Sequence, residues 1–474
     1  MNASLFHRLI GAALTIVLFS GCGGGRATVP PTPENALSSL SPARSEIDWP
    51  TFGFDTARTG YNARETQLTT STVHNLVAKW SFKLGNDFSN TEPIVASHVS
   101  VSGGKYADIV YVGDEIGDFY AINAASGKAI WSKALGHTST PQCGLGSDGV
   151  TSTPVLDRTK NRIYVLDGLG KIWAFDLGTG ARSAGFAPKT LYGDPTEYHT
   201  WSGLLLSADG SKIYYPTASH CDEGTYFGTI DAIDTSSEAI TTFNLVTNKK
   251  TYYGNGVWSW GGESIDPDTG NLYAGVGNSL GSLGETGQYS DSIIELTAPS
   301  LQFVADEQPE TNLQSDLDIG TTPVLYDDQG SCAAFERKDG NFFTIDRRHL
   351  VNENYATKLN LGGQLATPAY SPAAHALYAS VPNGLTKLSV GANCTVSTAW
   401  QTAIGANGES PPVVADGVVY ASGGSKLYAL DATSGGILWN SAATISGSII
   451  PAPTVVNGHV YASSRDGHLY AFGL

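Results

Sequence analysis

Two stretches of this 474-residue chain, far apart in sequence, read almost alike. Residues 108–131 are DIVYVGDEIGDFYAINAASGKAIW and residues 417–439 are GVVYASGGSKLYALDATSGGILW. Each has a β-branched strand ending in Tyr, a polar or Gly turn, a second alternating strand, an Asp/Asn-x-x-[Ser/Thr]-Gly turn and a closing Trp. Weaker copies occupy 161–180, 211–238 and 458–474. The strand tyrosines Tyr111, Tyr164, Tyr214, Tyr273, Tyr378, Tyr420 and Tyr461 mark the period. One degenerate copy, at 331–350, fills the long gap between Tyr273 and Tyr378, so the chain holds eight units of roughly 40 to 60 residues. A unit of this size cannot bury both its faces alone. The pattern therefore predicts an all-β fold in which eight four-stranded blades stack around an axis as a β-propeller. The last unit stops at LYAFGL, one strand short, and an unassigned strand, LVAKWSFKLG, lies at 76–85. An N-terminal strand is thus expected to complete the last blade and remove the open edge.

The start of the chain reads differently. MNASLFHRLIGAALTIVLFSGC has one Arg, an apolar run at 9–19 too short to span a bilayer, and small residues before Cys22. Residues 1–22 resemble a bacterial lipoprotein signal with Cys22 as the lipidated residue; the alternative is an ordinary cleaved signal. Residues 23–46, rich in Gly, Pro, Ser and Ala, read as a flexible tether, leaving 47–474 as a single propeller domain. The expected location is the cell envelope, lipid-anchored and facing the periplasm or the exterior. A net charge of −17 argues against nucleic acid and against binding through anionic lipid headgroups. Four further cysteines, Cys143, Cys221, Cys332 and Cys394, permit two disulfides in an oxidising compartment, with three connectivities. The expected pairing is Cys143–Cys221 with Cys332–Cys394. Their spacings fit no zinc pattern.

The Asp/Asn-x-x-[Ser/Thr]-Gly…Trp copies, with DWPTFGFDTARTGYN at 48–62, resemble the repeat of pyrroloquinoline quinone (PQQ) enzymes. They are also similar to the propeller lipoprotein of the outer-membrane β-barrel assembly machine. In that repeat the Trp docks on the next blade, and Trp131 and Trp439 match it. Within the resemblance to PQQ-dependent alcohol dehydrogenases, WSWGGESIDPDTGNLYAGVGN (258–278) matches a segment whose Trp floors the quinone and whose Asn binds calcium. Trp260 and Asn278 stand at those places. HCDEGTYFGTIDAID (220–234) resembles the segment bearing a calcium-binding Glu, matched by Glu223. DLDIGTTPVL (316–325) resembles the segment of the catalytic Asp, matched by Asp318, and ERKDGNFFTID (336–346) places Lys338 where a basic residue contacts the quinone. The residue types suit the chemistry: calcium takes hard oxygen ligands, and a flat quinone takes an aromatic face.

Departures from the family pattern are equally specific. Its two adjacent cysteines are reduced to Cys143 in PQCGLGSDGVTSTPV (141–155), where Asp148 and Gly149 stand near the place of a carboxylate-binding Arg. The segment YHTWSGL (198–204) is a further funnel element, and its His199 reads as structural for want of a metal partner at recognisable spacing. No Cys-x-x-Cys-His haem motif occurs, so electrons would leave to a separate acceptor. Two readings stand: a PQQ- and calcium-dependent alcohol dehydrogenase acting on a small alcohol, or a non-catalytic propeller lipoprotein serving as an envelope scaffold for partner proteins. A carbohydrate-cleaving propeller lacks an identifiable carboxylate pair.

Overall fold

Alternating strands that carry two apolar faces need partners on both sides, and the repeats find them in one another. A computed structural model describes residues 46–85, 88–140, 146–282, 287–311, 316–362, 365–405 and 408–474. Residues 1–45, on which the expected leader, most of the expected tether and Cys22 fall, lie outside the described residues, as does Cys143. Each repeat forms an antiparallel sheet of four strands, and eight such blades follow in chain order. Blades 1 to 7 span 94–134, 155–190, 205–244, 264–307, 324–360, 369–403 and 413–440. Blade 8 takes 454–473 and, as its outer strand, Val77–Lys83, which pairs antiparallel from Val77↔Gly473 to Lys83↔His468. The ring closes as its repeats predict. No helix among the described residues is long and apolar enough to cross a membrane.

Burial within a blade follows position. Second strands such as Val418–Gly423 are buried for nearly their whole length because neighbouring blades cover both faces, whereas outer strands such as Tyr355–Asn360 are partly exposed. The repeat motif explains how blades lock together. The Asp or Asn side chain folds its turn by accepting backbone N–H groups, as Asp431 does from Thr433 and Ser434, and Asn123 from Ala125 and Ser126. The Gly that follows adopts φ of +66° at Gly127, +65° at Gly180 and +73° at Gly435. A Cβ there would lie 2.6, 2.6 and 2.8 Å from the indoles of Trp80, Trp131 and Trp400, each from the preceding blade. Glycine is therefore required for the turn and for the close approach of the indole. Trp80 and Trp131 then donate Nε1–H to the carbonyls of Ala124 and Leu177. Trp439 donates to Leu76, just before the closing strand. The strand tyrosines add parallel ties, Tyr111 to Leu177 and Tyr378 to Ala432.

The segment at 48–62 supplies none of the four antiparallel strands of a blade, although its end, Tyr61–Asn62, adds a short parallel strand to the inner edge of blade 7. It winds along the axis and meets the inner edge of every blade in turn. Trp49 pairs with Val95 of blade 1, Pro50 O accepts from Leu156 of blade 2, and Thr51 Oγ1 donates to Leu204 beside blade 3. The carbonyls of Thr56, Ala57, Thr59 and Gly60 accept from Ile265, Leu325, Tyr370 and Val414 of blades 4 to 7. Asn62 Nδ2 completes the circuit on Val455 O of blade 8.

A disulfide joins Cys332 of blade 5 to Cys394 of blade 6, 62 residues apart. Cys221 is also disulfide-bonded. Closing a loop of the former size restricts the unfolded chain, so the Cys332→Ala/Cys394→Ala double variant is expected to lose about 2–4 kcal/mol in urea unfolding.

Candidate functional site

In an antiparallel blade the start of the innermost strand lies beside the end of the second. Loops leading into inner strands and turns leaving second strands therefore open on the same rim. A chamber of about 420 Å³ lies there, lined by both kinds of loop. Trp258, Trp260, Asp316, Asp318, Leu365, Glu409 and Ile450 come from loops leading into blades 4 to 8. Trp201 precedes blade 3, and Cys221, Asp222, Lys338 and Arg465 come from segments between strands of blades 3, 5 and 8.

The floor is built on the axial segment. Trp260 O accepts from Gly203 N–H, and the neighbouring Gly261 has its carbonyl held by Arg58 and its N–H donated to Thr322 Oγ1. Trp201 stands edge-on to Trp260 with ring centroids 6.2 Å apart, and Tyr226 stands edge-on to Trp258 at 6.1 Å. Gly277 explains the Gly-Val-Gly-Asn run: a Cβ there would come within 2.3 Å of Asp318 Oδ1 and 2.8 Å of the Trp258 ring. Its absence lets Asp318 sit against the strand end, where Asn278 N–H donates to Asp318 Oδ1 at 2.8 Å.

Asp318 is 4% exposed, and burial raises its carboxyl pKa to about 7, against the lowering effects of Asn278 N–H and Lys338. Lys338 Nζ lies 3.5 Å from Asp318 Oδ2 and 2.5 Å from Asp316 Oδ1. These contacts raise the Lys338 pKa despite partial burial, so it stays cationic. Tyr226 O–H donates to Asp222 Oδ1 at 2.5 Å, while burial raises the Asp222 pKa. Four acids and two cations line the chamber, a formal charge of −2 on the lining with all ionised. Such a wall takes a divalent cation, and three indoles offer faces to a planar ring. Lys338 and Arg465 supply positive charge for carboxylates on that ring, so the residues present fit PQQ together with calcium.

Trp260, Asp318 and Lys338 thus meet in one chamber although they come from separate repeats. Asn278 reaches it through its N–H on Asp318, and its side chain is buried. Glu223 does not line the wall. Cys221 and Asp222 both take left-handed backbone, φ +53° and +58°, and Glu223 N–H turns back onto His220 O. This turn carries Asp222 to the chamber and leaves Glu223 exposed. A guanidinium not expected from the sequence, that of Arg465, also lines the chamber. A signal for it existed, because Arg465 occupies the same blade turn in SRDG (464–467) that Lys338 occupies in ERKDG (336–340). His199 is not isolated either: its ring lies 4.8 Å from that of His220, which pairs with Asp148.

Comparison with known proteins agrees with the repeats. The β-propeller domain of glucose/ethanol/alcohol dehydrogenases matches residues 49–191, and the outer membrane protein assembly factor BamB matches 392–473. The quinohemoprotein alcohol dehydrogenase of Comamonas testosteroni is 31% identical over 137 residues, which are 28% of this chain and 17% of that protein. The chain is thus matched to under a fifth of the curated relative's length. The structure of quinohemoprotein alcohol dehydrogenase ADHIIG from Pseudomonas putida HK5 superposes with a TM-score of 0.71 at 16% identity, covering 90% of this chain and 80% of that one. BamB from Moraxella catarrhalis superposes at 0.57 and 15% identity, covering 84% of this chain and 100% of its own. At such identity the superpositions establish the fold. In its repeats and its eight blades, and over both matched segments, the chain is similar to the PQQ-like β-propeller repeat proteins.

Proposed function

We propose that the chamber binds PQQ with a calcium ion and oxidises a small alcohol. The observation that carries this reading is the convergence of Trp260, Asp318 and Lys338 on one cavity. Trp260 offers a flat face, Lys338 and Arg465 hold carboxylate or developing oxyanion charge, and Asp222 and Asn278 offer hard oxygens to the ion. Bound PQQ would supply the two-electron acceptor for the hydrogen on the alcohol's carbon. Asp318 accepts the hydroxyl proton, for which a pKa of about 7 suits it near neutrality. The surrounding indoles exclude water from that transfer. A separate acceptor would be needed to take the electrons onward.

Titration of the purified chain with PQQ is expected to quench tryptophan fluorescence saturably and only with calcium, and Lys338→Ala is expected to weaken it by about tenfold. No quenching at tens of micromolar PQQ would overturn the proposal. The BamB match over 392–473 favours the second reading, a scaffold for envelope proteins. Failure of the titration, with specific capture of envelope proteins, would support it.

A further inference from the structure

Behind the chamber wall, three ligand-type side chains meet out of solvent. Asp148, His199 and His220 are 0%, 2% and 1% exposed, and their ligand atoms all lie within 4.8 Å of one another. The strands explain the meeting. The short strand Tyr198–His199 pairs with Ala218–Ser219, placing His199 opposite Ala218. His220 lies two residues beyond Ala218, on the same face, so the two rings emerge together. Asp148 ends the short strand Gly146–Asp148, which precedes blade 2.

The hydrogen-bond chemistry calls for a cation. His220 Nε2 lies 2.9 Å from Pro195 O, and a carbonyl only accepts, so Nε2 carries the proton. His220 Nδ1 then faces Asp148 Oδ2 at 2.6 Å, a contact that either a proton on Nδ1 or a metal ion held by both groups satisfies. A metal-bound imidazole commonly has this arrangement, its second nitrogen donating to a backbone carbonyl. His199 supplies the independent observation: neither of its ring nitrogens has a hydrogen-bond partner, although the residue is almost wholly buried. An imidazole held this way costs free energy unless something binds it.

We propose that Asp148, His199 and His220 bind a divalent transition metal of the zinc class, at a site separate from the calcium site of the chamber. Two imidazoles and one carboxylate select zinc or a similar ion over calcium, which takes oxygen donors. Tetrahedral zinc with bonds of about 2.0–2.2 Å sets ligand atoms about 3.3 Å apart, so the Asp148–His220 pair opens slightly as the ion enters. The ion ties the segment before blade 2 to the ribbon beside blade 3. His199 packs edge-on against Trp201 at 4.7 Å, and His220 adjoins Cys221, so the metal stiffens the wall of the chamber.

The full chain, stripped with a chelator and dialysed against micromolar zinc, is expected to retain one extra zinc per chain that His199→Ala loses. Affinity for zinc should fall by more than about 100-fold in that variant, since loss even of an outer partner of a ligand costs about 10–100-fold. Cobalt(II) in place of zinc should give visible ligand-field bands in the parent chain and none in His199→Ala. His199→Ala removes a ring without hydrogen bonds, so circular dichroism should report a folded chain; Asp148→Asn is the second variant. No stoichiometric zinc in the folded parent, or the same stoichiometry and cobalt spectrum in both variants, would overturn the proposal. Neither measurement uses PQQ, so a failed quinone titration leaves the result intact.

Discussion

Asp318→Asn is expected to cut PQQ-dependent alcohol oxidation, followed with a dye acceptor, by about a thousandfold. Calcium-dependent quenching by PQQ should survive in the same variant. Asparagine keeps the size of the side chain and an oxygen that can accept from Asn278 N–H, the bond made at 2.8 Å. What it loses is the lone pair able to take a proton at neutral pH. The carboxylate is buried, has Lys338 at 3.5 Å and has a pKa raised to about 7, which makes it a stronger base than an exposed aspartate. A loss of turnover under tenfold would assign the proton transfer to another group. Equal loss of quenching and turnover would instead make Asp318 a binding residue.

Arg58→Ala should destabilise the propeller by about 3–5 kcal/mol, read from the urea midpoint and slope. Arg58 is 1% exposed and sits where the axial segment passes under the chamber floor. Its Nε donates to Glu263 O, its Nη1 to Thr51 Oγ1 and Phe52 O, and its Nη2 to Gly261 O at 2.8 Å. Burial lowers its pKa to about 10, opposed by Glu263, Glu92 and Asp55, so it stays charged at neutral pH. Removing it strands buried carbonyls and carboxylates together. Arg58→Lys should recover only a small part of the loss, because an ammonium cannot reproduce the planar fork. A loss under 1 kcal/mol for Arg58→Ala would mean that water enters and satisfies the same acceptors.

The blades were legible because their determinants are local. Tyr at a strand end, Asp or Asn opening a turn, Gly in left-handed backbone and Trp closing the unit recur at short fixed spacings. Trp260, Asp318 and Lys338 could be read for a related reason, since each occupies a loop or turn fixed relative to its own blade. Glu223 shows the limit: two consecutive left-handed residues turn the chain so that Asp222 faces inward, and no residue pattern announces that turn. The meeting of Asp148, His199 and His220 was not legible, because metal spacing rules look for ligands close in sequence, whereas strand pairing assembles these from three places. The axial segment 48–62 was also opaque as structure. It has no alternation, because its partners change from blade to blade.

That winding segment has a consequence for the order of events in synthesis. Translation delivers residues 48–62 and Val77–Lys83 early, yet Asn62 bonds Val455 and Val77 pairs with Gly473. The earliest part of the domain therefore waits for the latest, and its longest-range contacts form only after nearly the whole chain has emerged. Until then the inner edges of the blades and one edge of the last stay open to other chains. Emergence of the strand that ends at Gly473 is thus the moment at which the ring can first be completed.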